Sequence, residues 1–185
     1  MFGNVAVDTA KSGFLNPKIM TMAHNHVEVV NSAIIRRVKV NRNRTPEEVL
    51  KATGRHVLVV GEVFDGATRK SYQIDSGLKC MPHGEGDEVE IGFFNFGCAF
   101  RRSEQKDLEL HGLVPADPYS LSAVNEADPD FADTHPNYTY WRFGDGRFSF
   151  ILFDRWHVGR VVVVSRDCST WAGQTWLACF PKQGA

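Results

Sequence analysis

Four cysteines are spread over 185 residues, at Cys80, Cys98, Cys168 and Cys179, and no two stand in CxxC spacing. That argues against a zinc ribbon and against a thioredoxin-like redox motif. Cys179 alternates with Leu177 in a strand pattern and reads as a small core residue. With no disulfide framework, reduced thiols and a cytoplasmic location are expected. No apolar run approaches the ~20 residues that a membrane helix needs. The N-terminus lacks a basic stretch followed by an apolar one, so a secretory signal is not expected. GxSxG, P-loop, GxGxxG and HExxH patterns are all missing, which removes the best-marked hydrolase, nucleotide-binding and metalloprotease classes. Gly84-Glu-Gly86 is too short and too acidic to cradle a phosphate. The chain has no internal repeat and no low-complexity tract, and no cofactor is implied.

Hydrophobic residues make up 43% of the chain, an ordinary share for a globular protein. A chain of this length buries roughly 70% of the surface its unfolded form exposes, so it needs no metal or disulfide to fold. The net charge of −1 conceals a gradient. Residues 1–60 hold nine Lys/Arg against four Asp/Glu, and residues 61–185 hold twelve against eighteen. Such a split is compatible with a basic arm resting on an acidic neighbour, hence with a homo-oligomer, or with nucleic acid.

The β-rich part is the last third. Tyr138-Thr-Tyr-Trp-Arg-Phe143, Phe148-Ser-Phe-Ile-Leu-Phe-Asp-Arg-Trp156, Arg160-Val-Val-Val-Val-Ser165 and Gln174-Thr-Trp-Leu-Ala-Cys-Phe180 are four strand-like runs parted by turn signals. We read them as an antiparallel meander supplying the main core. Upstream, Val38 and Val40 alternate with Arg37, Lys39 and Asn41, a half-buried strand with a solvated basic face. Thr45-Pro-Glu-Glu48 is a capping box with Pro at the first helical position, and Gly54 marks the end of that short helix. Val57 to Phe64 reads as a strand broken by Gly61, Tyr72 to Ile74 as a short strand, and Glu88 to Phe94 as a strand with Val89, Ile91 and Phe93 inward. A helix capped by Ser103 is expected over Glu104 to Leu110, and another, capped by Asp117, from Pro118 to about Glu126. The predicted architecture is a single α+β domain over residues 23–185, with short helices packed on a C-terminal β-meander. Residues 1–22 are read as a flexible extension, with Met22 an alternative start.

His83-Gly-Glu-Gly-Asp-Glu-Val-Glu90, then Leu110-His-Gly-Leu-Val-Pro-Ala-Asp-Pro-Tyr-Ser-Leu-Ser-Ala-Val-Asn-Glu126, then Asp130-Phe-Ala-Asp133, His135-Pro-Asn137 and Trp141 form a recognisable series. Over residues 36–182 the chain resembles a widespread group of small bacterial proteins without an assigned activity. The Pro115-to-Leu121 run carries most of the likeness, and the stretch between Gly54 and Met81 departs from it. The resemblance implies a bacterial origin, with which a gene-cassette source is compatible, and it implies no function.

Several constellations are candidates for chemistry. Asp128-Pro-Asp130, with Asp133 and His135, is the densest ligand-type cluster, and Asp117, near the hydroxyls of Tyr119 and Ser120, is a general-base candidate. In a common cleft they could serve a small metal-assisted or acid/base hydrolase. Single roles compete with this: Asp117 before Pro118 is placed to cap a helix. Arg36-Arg-Val-Lys-Val-Asn-Arg-Asn-Arg44 is basic but has no interleaved aromatics, which argues against single-strand nucleic-acid binding. Tyr140, Trp141, Trp156, Trp171 and Trp176 are concentrated in the last third. Alternation puts Phe148, Phe150 and Leu152 on one side of their strand and Ile151 and Phe153 on the other. The sheet is therefore either covered on both faces or exposes an apolar patch suited to a second copy, a protein partner or a small apolar ligand. The expectation is a non-enzymatic binding or self-association module using that aromatic surface, with the hydrolase as the alternative. No metal, nucleic acid or membrane is expected as a partner.

Overall fold

The computed structural model describes residues 33–60, 62–65, 70–73, 77–95, 108, 111–142, 148–166 and 175–182. The expected extension 1–22, most of the helix expected at 104–110, Cys98 and Trp171 lie outside them. In chain order the elements are β1 (Ala33–Lys39), α1 (Pro46–Ala52), β2 (His56–Val60), β3 (Glu62–Asp65), β4 (Lys70–Gln73), a 3-10 turn (Leu78–Cys80), β5 (Glu88–Asn95), β6 (Leu113–Pro115), α2 (Pro118–Ala127), α3 (Phe131–Thr134), β7 (Asn137–Arg142), β8 (Phe148–Trp156), β9 (Gly159–Arg166) and β10 (Trp176–Pro181). The fold is α+β.

Local signals act as their chemistry dictates. Thr45 accepts from the Glu48 amide while the Glu48 carboxylate accepts from the Thr45 amide, closing the capping box. Those hydrogen bonds from Thr45 hold the Glu48 carboxyl below its ordinary value. Gly54, at φ +68°, takes the left-handed position after the helix. Thr45→Ala should destabilise the protein by about 1 kcal/mol in chemical denaturation, the usual loss for an N-cap. Asp117 caps α2 through the Ser120 amide, and Pro118 opens the helix.

The sheet is eight-stranded, in the order β1-β5-β10-β7-β8-β9-β2, with β6 also paired to β10. Here the meander expectation needs correcting. β7, β8 and β9 are successive antiparallel neighbours, but β10 returns past them to the far side of β7, where it lies parallel. It then pairs antiparallel with β5, and β2 closes the other side by running parallel to β9. The last third is thus not a self-contained unit. Hairpin signals specify local neighbours, while β10 is placed by burial on both its faces: Leu177, Ala178 and Cys179 are all fully buried. Complete desolvation of the Cys179 thiol raises its pKa far above the ordinary range, as suits an inert core residue.

Both faces of the sheet are covered. On one, Ile91, Phe93, Trp141, Ile151, Phe153, Val162 and Val164 pack with Leu50, Tyr119, Leu121, Val124 and Phe131 of the three helices. On the other, Tyr138, Tyr140, Phe148, Phe150, Leu152, Val161, Val163, Leu177 and Cys179 form a second cluster, joined by Leu108. Near-continuous apolar runs follow from this two-sided burial.

Candidate functional site

Arg42 sits at the centre of the most highly connected polar cluster. Its Nε donates to Gly86 O at 2.7 Å. One terminal nitrogen donates to His83 O and to Asp117 Oδ1 (3.0 Å). The other donates to Glu85 O, Asp117 Oδ2 and Ser120 Oγ. Ser120 in turn gives its hydroxyl proton to Asp117. His83 stacks on Tyr119 with ring centroids 4.3 Å apart, and the Tyr119 hydroxyl donates to Arg44 O. Burial, aided by Glu47, Asp117 and Glu48, raises the Tyr119 phenol above its usual value, so it remains a hydrogen-bond donor. The Asp117 carboxylate has its lone pairs committed to Arg42 and Ser120, leaving no free base for proton abstraction. The cluster fastens the 83–86 loop to the start of α2.

A second cluster surrounds Asp133. Its Oδ2 accepts from Arg155 and Arg160, and Oδ1 lies 3.6 Å from Arg55, whose side chain is entirely buried. Arg55 also donates to Asp154 O and Pro129 O. Desolvation opposes charge on both partners. It lowers the Arg55 pKa against the pull of Asp133. At Asp133 burial alone would raise the carboxyl, but hydrogen bonds from Arg160 and Arg155 outweigh it and hold the pKa below the ordinary value. Asp130 pairs with Arg160, whose own pKa rises through its bonds to Asp133 and Asp130.

His135 belongs to neither cluster. Its ring stacks on Phe131 at 5.2 Å and meets Trp176 edge-on at 5.3 Å, with Nδ1 2.8 Å from the Thr134 hydroxyl. The four side chains considered for hydrolysis therefore have three sets of partners: Arg42 for Asp117, arginines for Asp130 and Asp133, aromatics for His135. Among the described residues no three His, Cys, Asp or Glu side chains come together as a metal site.

The aromatic set is divided as well. Tyr140 and Trp141 are adjacent on β7 and point to opposite faces, 5% and 8% exposed. Tyr140 packs on Phe148 and Phe150. Trp176 is half-buried against His135. Trp156 is open, at 39%, and its indole N–H is held by Asp154 at 2.9 Å. The other exposed large apolar side chains among the described residues are Val59 (46%) and Val158 (68%). Residue order marks neither: Val59 sits in a Val-rich run that looks the same whether its strand is central or at an edge, and Val158 is a single apolar residue in a turn.

Part of the charge gradient is answered within the chain. Arg37 pairs with Glu90, Arg42 with Asp117, Arg44 with Glu126 and Arg55 with Asp133, so basic residues of the first third are answered by acids later in the same chain. An open depression of about 480 Å³ is lined by Asn41, Asn43, Arg44, Glu48, Lys51 and Ala52. No described helix is long and apolar enough to cross a membrane. Comparison with protein-family models, curated proteins and solved structures returned no match to this chain.

Proposed function

We propose that this protein is a non-enzymatic module that works by self-association, and that its contact surface is the β2 edge of the sheet. One observation carries this reading. Val59, opposite Val164 of β9, is the exposed large apolar residue on that edge; among the described residues the others, Trp156 and Val158, stand at the β8–β9 turn, five residues away along β9. β2 borders β9, and His56 pairs with Val161, two residues beyond Gly159 at the turn. The opposite edge is built differently. β1 presents exposed Arg37 and Lys39, the charged side chains with which proteins blunt an edge against further pairing. β2, His56-Val-Leu-Val-Val60, has no Lys, Arg, Asp, Glu or Pro, and no described strand occupies its outer side.

The occupant best matched to such an edge is a second copy. Edge N–H and C=O groups repeat along the strand and are self-complementary in antiparallel pairing, as a two-fold contact requires. Because Arg37, Arg42, Arg44 and Arg55 are paired within the chain, association is expected to be apolar and insensitive to salt. The enzymatic alternative has no observation in its favour beyond residue types.

Size-exclusion chromatography with light scattering should give a dimer at low and high salt alike. Val59→Lys should shift it toward monomer. Burying a valine on each copy contributes about 1.5–3 kcal/mol apiece when complete, so loss of the pair should weaken association by at least about tenfold. The exposed position leaves the fold intact, which circular dichroism checks. A wild type that stays monomeric, or a lysine variant that stays fully dimeric, removes this reading.

A further inference from the structure

We infer that the charge on His83 decides where the Tyr119 hydroxyl proton goes, and with it how the segment between β1 and α1 is held. His83 is exposed, and its ring stacks on the buried Tyr119 with centroids 4.3 Å apart. Three hydrogen bonds run through the pair. His83 Nδ1 lies 3.1 Å from Arg42 O, His83 Nε2 lies 3.2 Å from the Tyr119 hydroxyl, and that hydroxyl lies 2.9 Å from Arg44 O. Both ends of this series are backbone carbonyls, which only accept. Nδ1 must then carry the proton toward Arg42 O, and the hydroxyl must give its single proton to Arg44 O. The bond between the two rings needs a third proton, on Nε2. A neutral imidazole carries one proton and the cation two, so the cation alone completes all three bonds.

The neutral ring has to give one bond up. With its proton on Nε2, the Nδ1 lone pair would face the lone pairs of Arg42 O at 3.1 Å. With its proton on Nδ1, the bond to Arg42 O survives and Nε2 becomes an acceptor. A basic imidazole nitrogen outcompetes an amide carbonyl for the one Tyr119 proton, so the hydroxyl turns from Arg44 O to Nε2. Arg44 forms part of the wall of the open depression, beside Asn43, Glu48 and Lys51, and directly precedes the Thr45 cap of α1. Loss of charge on His83 thus releases the backbone of that wall. The other charges around the pair are Arg42, Arg44 with Glu126, Glu85 in the same loop, and Asp117, Glu47 and Glu48 near Tyr119. Carboxylates and guanidinium groups ordinarily keep their charge between about pH 5 and about pH 8, whereas histidine titrates there. Tyr119 holds its proton throughout, because burial first, then Glu47, Asp117 and Glu48, raise its pKa. The device lies within one chain and stands whether or not the chain self-associates.

NMR on the isotope-labelled full chain tests this. The ring nitrogen signals of His83 should show both nitrogens protonated at about pH 5 and the proton on Nδ1 at about pH 8. Over the same range the carbonyl carbon of Arg44 should shift further than that of Arg42, which keeps its donor in both states. His83→Phe retains a ring to stack on Tyr119 and removes both nitrogens, while Tyr119→Phe removes the hydroxyl. In each variant the Arg44 shift should be lost, although every other histidine remains. Three results would overturn the inference: an Arg44 carbonyl that does not move in the wild type, a shift that persists in His83→Phe, or a neutral ring with its proton on Nε2. Should the buried Tyr119→Phe fail to fold, His83→Phe at its exposed position and the wild-type ring signals still decide the matter.

Discussion

Asp133→Asn is expected to cost the fold about 3–5 kcal/mol, because it withdraws the carboxylate facing a fully buried guanidinium. Arg55 reaches Asp133 at 3.6 Å and its side chain has no exposure. Its remaining bonds go to the carbonyls of Asp154 and Pro129, which are dipoles and not countercharges. Arg155 and Arg160 would lose the same partner, but both reach solvent, so their share is small. Against a total stability of about 5–15 kcal/mol this is a large fraction. The sign of the pH dependence follows. Asp133 has a lowered folded-state pKa. Its contribution is complete above the ordinary carboxylate value of ~3.9 and is lost as pH falls through the lower folded value. Urea titrations should therefore show the wild type losing stability below about pH 4, with the gap to Asp133→Asn narrowing there. A variant within about 1 kcal/mol of wild type at neutral pH would mean that water or a backbone shift satisfies Arg55.

Gly84→Ala is the second large effect. Gly84 has φ +68°, and an added Cβ would overlap the Asp117 carboxylate and crowd Arg42. The left-handed backbone alone costs a non-glycine residue about 1–2 kcal/mol. Displacing Asp117 also loosens the ion pair with Arg42, whose partners are 9% and 12% exposed, and the cap of α2. Together the loss should be about 3 kcal/mol. Gly86→Ala is the control. Its φ is +79°, but the nearest atoms to an added Cβ stand off at 3.8 Å, so it should show the backbone cost without the collision. Equal losses in the two variants would mean that the contact with Asp117 is relieved by a small loop movement.

Much of the candidate surface was out of reach from residue order. Trp156 was singled out for its type, and the structure leaves it open at the end of a hairpin. Tyr140 and Trp141 were grouped with it, yet neighbours on a strand point to opposite faces, and both faces here are packed. Val59 gave no signal, since edge status depends on which strand lies alongside. The arginines of 36–44 looked like a solvated basic face. Their acids stand 53 to 82 positions away for Arg37, Arg42 and Arg44, a separation at which no spacing rule operates.

What the sequence determined by itself is local. The Thr45–Glu48 capping box, the Asp117 cap before Pro118, the Gly54 helix end and the shared face of Val89, Ile91 and Phe93 all act within one or two turns or along one strand. Side-chain-to-backbone bonds at such short range leave few alternatives. Tertiary structure alone decided the rest: the return of β10 to lie parallel to β7, the joining of β2 to β9, the partners of the arginines and the open edge at Val59. These depend on closing long stretches of chain. Their outcome is set by the total apolar surface that both faces of one sheet can bury, a property that no single stretch of the sequence carries.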